Sequence, residues 1–532
     1  MTSLLDLPDE LLVAICSSRV LASEDLFRLA LVCRRVHSIA LHAFFALTVT
    51  GFGPESRSLT VHMATSGPDA LSGLCVALFP LPPLEELFIV LPNVFSPIDI
   101  VYIGWNETKY LPAHLRKIEG FFTGLTGRLA PKAITLQLEE YRTDLWYGAT
   151  EDARAEAAAH LQSCFNVALG TGCETLSVLN GGFYYQQPSS ASGTGIVKRL
   201  RGIFRDRPSR DKSQSSIMRG TQPRMTSFDI GSNVLLAPEM VDWTLTVLRV
   251  SPITHLTISA MNLGPNLHRL QDLAAVRPGL TSFTLREAEI VPWFHRIPAA
   301  LAAFTSLVHL TIASRDGHLG IPRQFDLSLP FLESLRAPPR FIVGLLSQNL
   351  KAGRRCQAPR LQAVYAFWVA LTHGASATPS PQLEAGMESK YHAWTLAELV
   401  SQITKRLEWH HLRPQATIGI KTEGTLWQSN QLGQRAFTFQ ALPPEFQSVM
   451  RQVTKLEMTV FMHHGDLDFV EHWTRLFPAA KEAKIEVGDR AFRDSFENTA
   501  ERLAKNLRRQ RQLEKVEING RHFDLISDSE ND

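Results

Sequence analysis

The apolar positions of the first forty-five residues fall into three short helical patterns. In LDLPDELLVAICSSRVLASEDLFRLALVCRRVHSIALHAFF, Pro8 suits a first helical position, where its missing N–H would have no partner anyway. Asp9 and Glu10 then stand at the positive end of the helix dipole, and Leu11, Leu12 and Ile15 share one face. Ser23 reads as an N-cap with Glu24 and Asp25 in the first turn, followed by Leu26, Leu29 and Cys33 at helical spacing. Val36, Ile39, Ala40, Ala43 and Phe44 form the third pattern. Three helices in about forty residues bury too little to stand alone, so they should lean on the rest of the chain or on a partner.

Further along, a six-residue phrase, apolar-x-x-apolar-x-apolar, recurs. It occurs at Ile253–Ile258, Leu280–Leu285 and Leu307–Ile312, with starts 27 residues apart both times. It extends forward to Leu332–Ala337 and Leu361–Ala366, after 25 and 29 residues, and backward to Met225–Ile230, after 28. More copies lie at Leu84–Ile89, Cys173–Val178, Val453–Met458 and Leu513–Ile518. Helical patterns separate them, among them Pro265–Val276, Trp293–Phe304, Phe341–Leu350 and Leu467–Phe477. A strand and a helix in so few residues make one unit of a repeat array, because neither element can bury its apolar face without neighbouring units.

The pattern divides the chain into a helical module at 1–45 and a first set of repeats at 46–187. An insertion at 188–224, regular repeats at 225–370, a loop at 371–392, C-terminal repeats at 393–523 and an acidic tail at 524–532 complete it. The predicted class is α/β, with the three helices followed by an α/β solenoid whose parallel sheet is covered on one side. Along each strand the phrase's last two apolar residues point inward, leaving their neighbours on the open face. Those neighbours include His255, Thr257 and Ser259, Ser282, Thr284 and Arg286, His309 and Thr311, Ser334 and Arg336, and Tyr365 and Phe367. His255, Thr257, Arg286, His309, Arg336 and Tyr365 are the candidates for reading a ligand, although threonine also favours exposed strand positions for its own sake.

Composition narrows the picture. With 45% hydrophobic residues and a formal net charge of +2, the chain is neither a basic coat nor a disordered acidic tail. That near-neutrality is a cancellation, because 188–224 holds nine Lys or Arg against two Asp and leaves the remainder at −5. The insertion reads as a solvated loop, or as a basic site for an acidic partner, nucleic acid or an importin. Thr378-Pro379 and Ser380-Pro381 resemble proline-directed phosphorylation sites, and Ser527 and Ser529 suit an acidophilic kinase. Six scattered cysteines argue against a disulfide scaffold and for a reducing compartment. The start lacks a basic n-region, and the low-polarity run from Leu71 to Leu84 is short and carries three prolines. A soluble protein of the cytoplasm, the nucleus or both is expected.

The search for catalytic chemistry returns little. There is no Gly-x-x-x-x-Gly-Lys-Ser/Thr loop, no Cys-x-x-Cys pair and no nucleophile elbow, while Gly193-Thr-Gly195 sits in a serine-rich stretch. His410-His411 and His463-His464-Gly-Asp466 lack a matched ligand pair at helical or hairpin spacing. Neither catalytic residues nor a metal or cofactor are therefore expected.

Two resemblances give these patterns a function. The order Leu7-Pro8-x-Glu10-Leu11-Leu12-x-x-Ile15, then Asp25-Leu26-x-x-Leu29-x-x-Val32-Cys33-Arg34, resembles the F-box, by which substrate receptors join cullin–RING ubiquitin ligases through a Skp-type adaptor. The resemblance implies Leu7, Pro8, Leu11, Ile15, Leu26, Leu29, Val32, Cys33 and Arg34 as the adaptor face. The aromatic residue that commonly follows the Cys-Arg pair is Val36 here. The recurring phrase is similar to a leucine-rich repeat, a known companion of the F-box, though the full phrase with Asn at its ninth position occurs once, at Met225–Leu235 with Asn233. Together they imply a ligase subunit that binds the Skp-type adaptor, joins the cullin–RING complex and holds an unknown target protein. Membrane and nucleic acid are not expected partners. A repeat scaffold outside any ligase and an α/β enzyme of unrecognised type are the alternatives.

Overall fold

The structure, a computed structural model, describes residues 7–18, 21–50, 57–62, 84–91, 110–125, 131–138, 151–179, 224–259, 267–286, 297–313, 327–346, 358–368, 400–408, 417–424, 444–460, 477–487, 496–509 and 513–525, with a few single positions besides. The His410-His411 and His463-His464 doublets, nearly all of the 188–224 insertion, the whole of the 371–392 loop and the tail serines lie outside them. The chain forms two compact units, Met1–Arg277 and Pro278–Asp532, and the division falls inside the stretch expected as regular repeats.

The first unit begins with α1 (Asp9–Ser17), α2 (Ser23–Ala30) and α3 (Arg34–Thr48). Both forecast helix starts are one residue off. Pro8 is the N-cap, with extended backbone, and its carbonyl accepts from the Leu11 and Leu12 amides. Ser23 is already helical, because the Leu26 amide bonds to the carbonyl of Ala22, and no side chain caps α2. Without an intervening loop, α3 runs into β1 (Val49–Thr50), which pairs antiparallel with β2 (Ser58–His62). The parallel strands β3 (Glu86–Leu91), β4 (Ala133–Leu138), β5 (Thr175–Leu179), β6 (Ser227–Gly231) and β7 (His255–Ser259) then add in chain order. Their connections carry α4 (Tyr110–Leu125), α5 (Glu151–Gly170) and α6 (Val241–Val250), while α7 (Leu267–Val276) follows β7.

The second unit repeats the plan. Strands β8 (Ser282–Arg286), β9 (His309–Ala313), β10 (Ser334–Ala337), β11 (Ala363–Trp368), β12 (Thr417–Gly424), β13 (Lys455–Val460), β14 (Glu482–Val487) and β15 (Lys515–Ile518) pair in parallel and in chain order. A turn through Asn519 and Gly520, both at positive φ, returns β16 (Arg521–Asp524) antiparallel to β15. Helices α8 (Ile297–Leu301), α9 (Pro339–Leu346), α10 (Pro444–Met450) and α11 (Phe496–Arg509) lie in the connections. The expected helix at Trp293–Phe304 is thus observed as the short α8, whose start fits Pro298, a residue tolerated in a first turn where its missing N–H costs nothing.

All ten copies of the apolar phrase coincide with strands. The leading residue of each, such as Ile253, Leu280, Leu307, Leu332 and Leu361, is buried, as are the two inward residues that follow. Burial alternates along β4, β5 and β10, so one face of each sheet is packed and the other is open. The inward residues stack in register from strand to strand, as in Leu59–Leu87–Ile134–Leu176–Phe228–Leu256. Four parallel strands escaped the phrase. In β2, β4, β12 and β14 its leading position holds Ser56, Pro131, Gln415 and Ala480 in place of a large apolar residue. At β12–β13 the register also slides by two, pairing Ile420 with Leu456. An even shift leaves the inward residues on the inward face.

Gly419, on the open face of β12, marks a tight point, since the Tyr365 ring of β11 occupies the space a Cβ would take. Gly419→Ala is expected to lower stability by about 1–3 kcal/mol, read from thermal unfolding of the full chain. Adding Tyr365→Ala should recover part of that loss, and an unchanged midpoint for Gly419→Ala alone would contradict this packing.

Candidate functional site

The three N-terminal helices are held by a small aromatic and aliphatic core. Leu12 and Cys16 of α1, Leu26 and Ala30 of α2, and Val36, Ala40, Leu41, Phe44 and Phe45 of α3 are buried. The Phe27 and Phe44 rings lie 5.4 Å apart, an attractive tilted pair. Buried His37 reaches the Ala30 carbonyl through Nδ1 at 2.9 Å, so Nδ1 carries the proton and ties α3 to the end of α2. Gly73 packs against this core, where a methyl on it would stand 3.0 Å from Phe45 and 3.1 Å from Phe44.

The residues assigned to an adaptor face divide by exposure. Leu11 is 51% exposed and Val32 67%, and Pro8 and Arg34 are open to solvent. Leu7, Ile15, Leu29 and Cys33 are half-buried. Leu26 is 0% exposed, so its side chain packs the module's own core and is not presented. Three apolar residues absent from that assignment, Val13, Leu31 and Leu47, are exposed as well. Among the described residues, four of the eight exposed large hydrophobics therefore lie within residues 7–45, and Leu47, near the end of α3, is a fifth. Amphipathic periodicity could have shown Val13 and Leu31, since both fall off the inward stripe of their helices.

Residues 4–45 match the family model described as F-box-like. The N-terminal module is an F-box-like domain. Its Val36, at the position where an aromatic residue is common, is fully buried, so the smaller side chain is absorbed in the domain's interior. Among curated proteins, none matches the chain.

The open sheet faces differ in chemistry between the two units. In the first, one row reads Thr60, Phe88, Thr135, Ser177, Asp229 and Thr257, nearly without charge. Ser259 donates to Asp229 at 3.1 Å, and His255 is exposed with Thr254 Oγ1 at 2.8 Å from its Nδ1. In the second unit Arg286 and His309 are exposed on β8 and β9. Arg336 of β10 lies over the Tyr365 ring, 4.6 Å from its centre, and reaches Glu457 of β13 at 3.0 Å. Beyond it the charges alternate in both directions. Lys455 pairs with Glu482 at 2.7 Å and Lys484 with Glu517 at 3.0 Å. The fold therefore gathers Arg336 and Tyr365 into one cluster, while Arg286, His309, His255 and Thr257 stand on other strands. Sequence reasoning missed Glu457, because its partner is 121 residues away and only strand order brings the two together.

The described cysteines are free thiols. Burial, with the Glu119 carboxylate nearby, pushes Cys164 well above its ordinary value, and burial pushes Cys173 up to about 12. Both stay protonated near neutrality, which is the unreactive form. Among the described residues no group of three or more His, Cys, Asp or Glu could hold a metal ion, and no helix is long and apolar enough to cross a membrane.

Two outcomes follow for the charged face. Glu457 is largely enclosed, so Arg336→Ala should destabilise the chain by about 1–3 kcal/mol. Denaturant unfolding of Arg336→Ala, Glu457→Gln and the double variant should give a double loss smaller than the sum. The Lys455 hydrogen bond lowers the Glu482 pKa, so this pair's stability is present above the ordinary carboxylate range and fades as pH falls through the depressed value. Glu482→Gln should flatten that acid-side decline by no more than the ~0.2–1 kcal/mol of an exposed pair, measured as midpoint against pH.

Proposed function

We propose that the chain is the substrate-recognition subunit of a Skp–cullin–F-box ubiquitin ligase. The observation that carries this reading is an F-box-like domain whose surface holds four of the eight exposed large apolar side chains among the described residues, Leu11, Val13, Leu31 and Val32. Uncovered leucine and valine at this density favour a protein partner, because association removes their apolar surface from water. The partner in this reading is a Skp-type adaptor, bound through Leu7, Pro8, Leu11, Ile15, Leu29, Val32, Cys33 and Arg34, with Leu26 supporting them from inside. Leu31 and Val13 extend the apolar surface.

The sheets would form a leucine-rich-repeat-like solenoid whose open face holds the target protein. Chain-ordered parallel strands and the recurrence of the phrase support that assignment. His255, Thr257, Arg286, His309, Arg336 and Tyr365 are its candidate target contacts. The chain would then catalyse nothing itself. Bringing adaptor and target onto one molecule raises the effective concentration of the target near a ubiquitin-charged enzyme in the cytoplasm or nucleus.

Co-purification of the full chain with a Skp-type adaptor is the first test. Val32→Asp together with Leu11→Asp should reduce binding by more than tenfold, since each charge must be desolvated against an apolar surface. Failure of the unaltered chain to bind would end the adaptor reading. Deleting the chain in cells should stabilise at least one protein, and a proteome unchanged in turnover would end the ligase reading.

A further inference from the structure

The F-box-like domain contains an ion-pair clasp that none of the adaptor-face residues explains. Arg35 is the second residue of α3, followed at once by Val36, which is fully buried. Its guanidinium donates to Asp9 Oδ1 from Nε at 3.1 Å and from Nη2 at 2.9 Å. The same Nη2 donates to the Leu7 carbonyl at 2.7 Å. These partners lie 26 and 28 residues earlier in the chain.

The Leu7 carbonyl is worth a bond for a structural reason. The hydrogen-bond ladder of α1 begins at the Pro8 carbonyl, which takes both the Leu11 and Leu12 amides. Leu7 is one residue outside that ladder, and Pro8 has no N–H with which to fix the junction. Arg35 supplies the missing tether. Because α3 is anchored by Val36, Ala40, Leu41, Phe44 and Phe45, the guanidinium is mounted on the most buried of the three helices. One rigid fork thus sets both the first turn of α1, through Asp9, and the Leu7-Pro8 segment ahead of it.

We propose that Arg35 is a positioning residue for adaptor docking, holding Leu7, Pro8 and Leu11 in their bound arrangement before the partner arrives. The inference rests on the adaptor reading above. The Arg35 and Asp9 side chains are 45% and 66% exposed, so their pair adds little to the stability of the fold. Its effect falls on preorganisation, since a segment already ordered need not lose that freedom on binding. Lysine at this position keeps the charge and loses the two-direction fork.

The test measures affinity of the full chain for a purified Skp-type adaptor beside thermal unfolding and amide exchange. Arg35→Ala should weaken binding roughly three- to tenfold and speed exchange of the Leu11 and Leu12 amides, while the unfolding midpoint moves by no more than about 4 °C. Arg35→Lys should recover part of the affinity, and Asp9→Asn should cost less than Arg35→Ala because the Leu7 bond survives. In the cycle of Asp9→Ala and Arg35→Ala, the double loss should be smaller than the sum of the single losses. The proposal is overturned if the unaltered chain binds and Arg35→Ala binds equally well. It is overturned too if affinity falls only in proportion to a large drop in the midpoint, the mark of a merely structural residue. An unaltered chain that does not bind overturns the adaptor reading itself, a separate outcome.

Discussion

Both units depend on one constraint, the registered pairing of parallel strands that each contribute two inward apolar residues. A strand of five residues with a single packed face cannot hold itself; its inward pair is buried only when the strands beside it supply theirs. The row Leu59–Leu87–Ile134–Leu176–Phe228–Leu256 shows the consequence, as six residues from 59 to 256 share one continuous layer. Side chains alternate with period two, so the same register that buries this layer places the polar row on the opposite face. Packing and display are thus set by a single choice.

The N-terminal module meets the same need differently. Its three helices enclose Phe44, Phe45 and Val36 but leave Leu11, Leu31 and Val32 uncovered. The continuity of α3 with β1, and of β1 with β2, joins the module to the first sheet through backbone hydrogen bonds. In this arrangement the apolar surplus can remain exposed without threatening the fold, because the core beneath it is completed by Phe44 and Phe45, with Gly73 packed against them. Buried and exposed apolar residues thereby occupy different faces of the same short helices.

On the open face of the second unit, charge is handled by local cancellation. Lys455 and Glu482, and Lys484 and Glu517, pair across neighbouring strands about 5 Å apart, a spacing that suits opposite charges and penalises like ones. Arg336 is the exception in reach. It crosses the Tyr365 ring to a carboxylate three strands away, and Gly419 leaves the space through which that aromatic bridge is laid.

The sequence by itself determined what depends on neighbours along the chain. The helix starts near Pro8 and Ser23, the ten strands that carry the phrase and the F-box-like order of the first helices were all legible, because helical and strand periodicities are local. Strands β2, β4, β12 and β14 were not, since a serine, proline, glutamine or alanine stands at the leading position in place of a large apolar residue. Tertiary structure decided which residues of the implied adaptor face turn inward. Leu26 and Leu11 look alike in the sequence, yet one is fully buried and the other is exposed. It also decided the pairs that span long stretches of chain, Arg35 with Leu7 and Asp9, and Arg336 with Glu457. A charged side chain finds its partner through the packing of elements, and one-dimensional spacing carries no record of that distance.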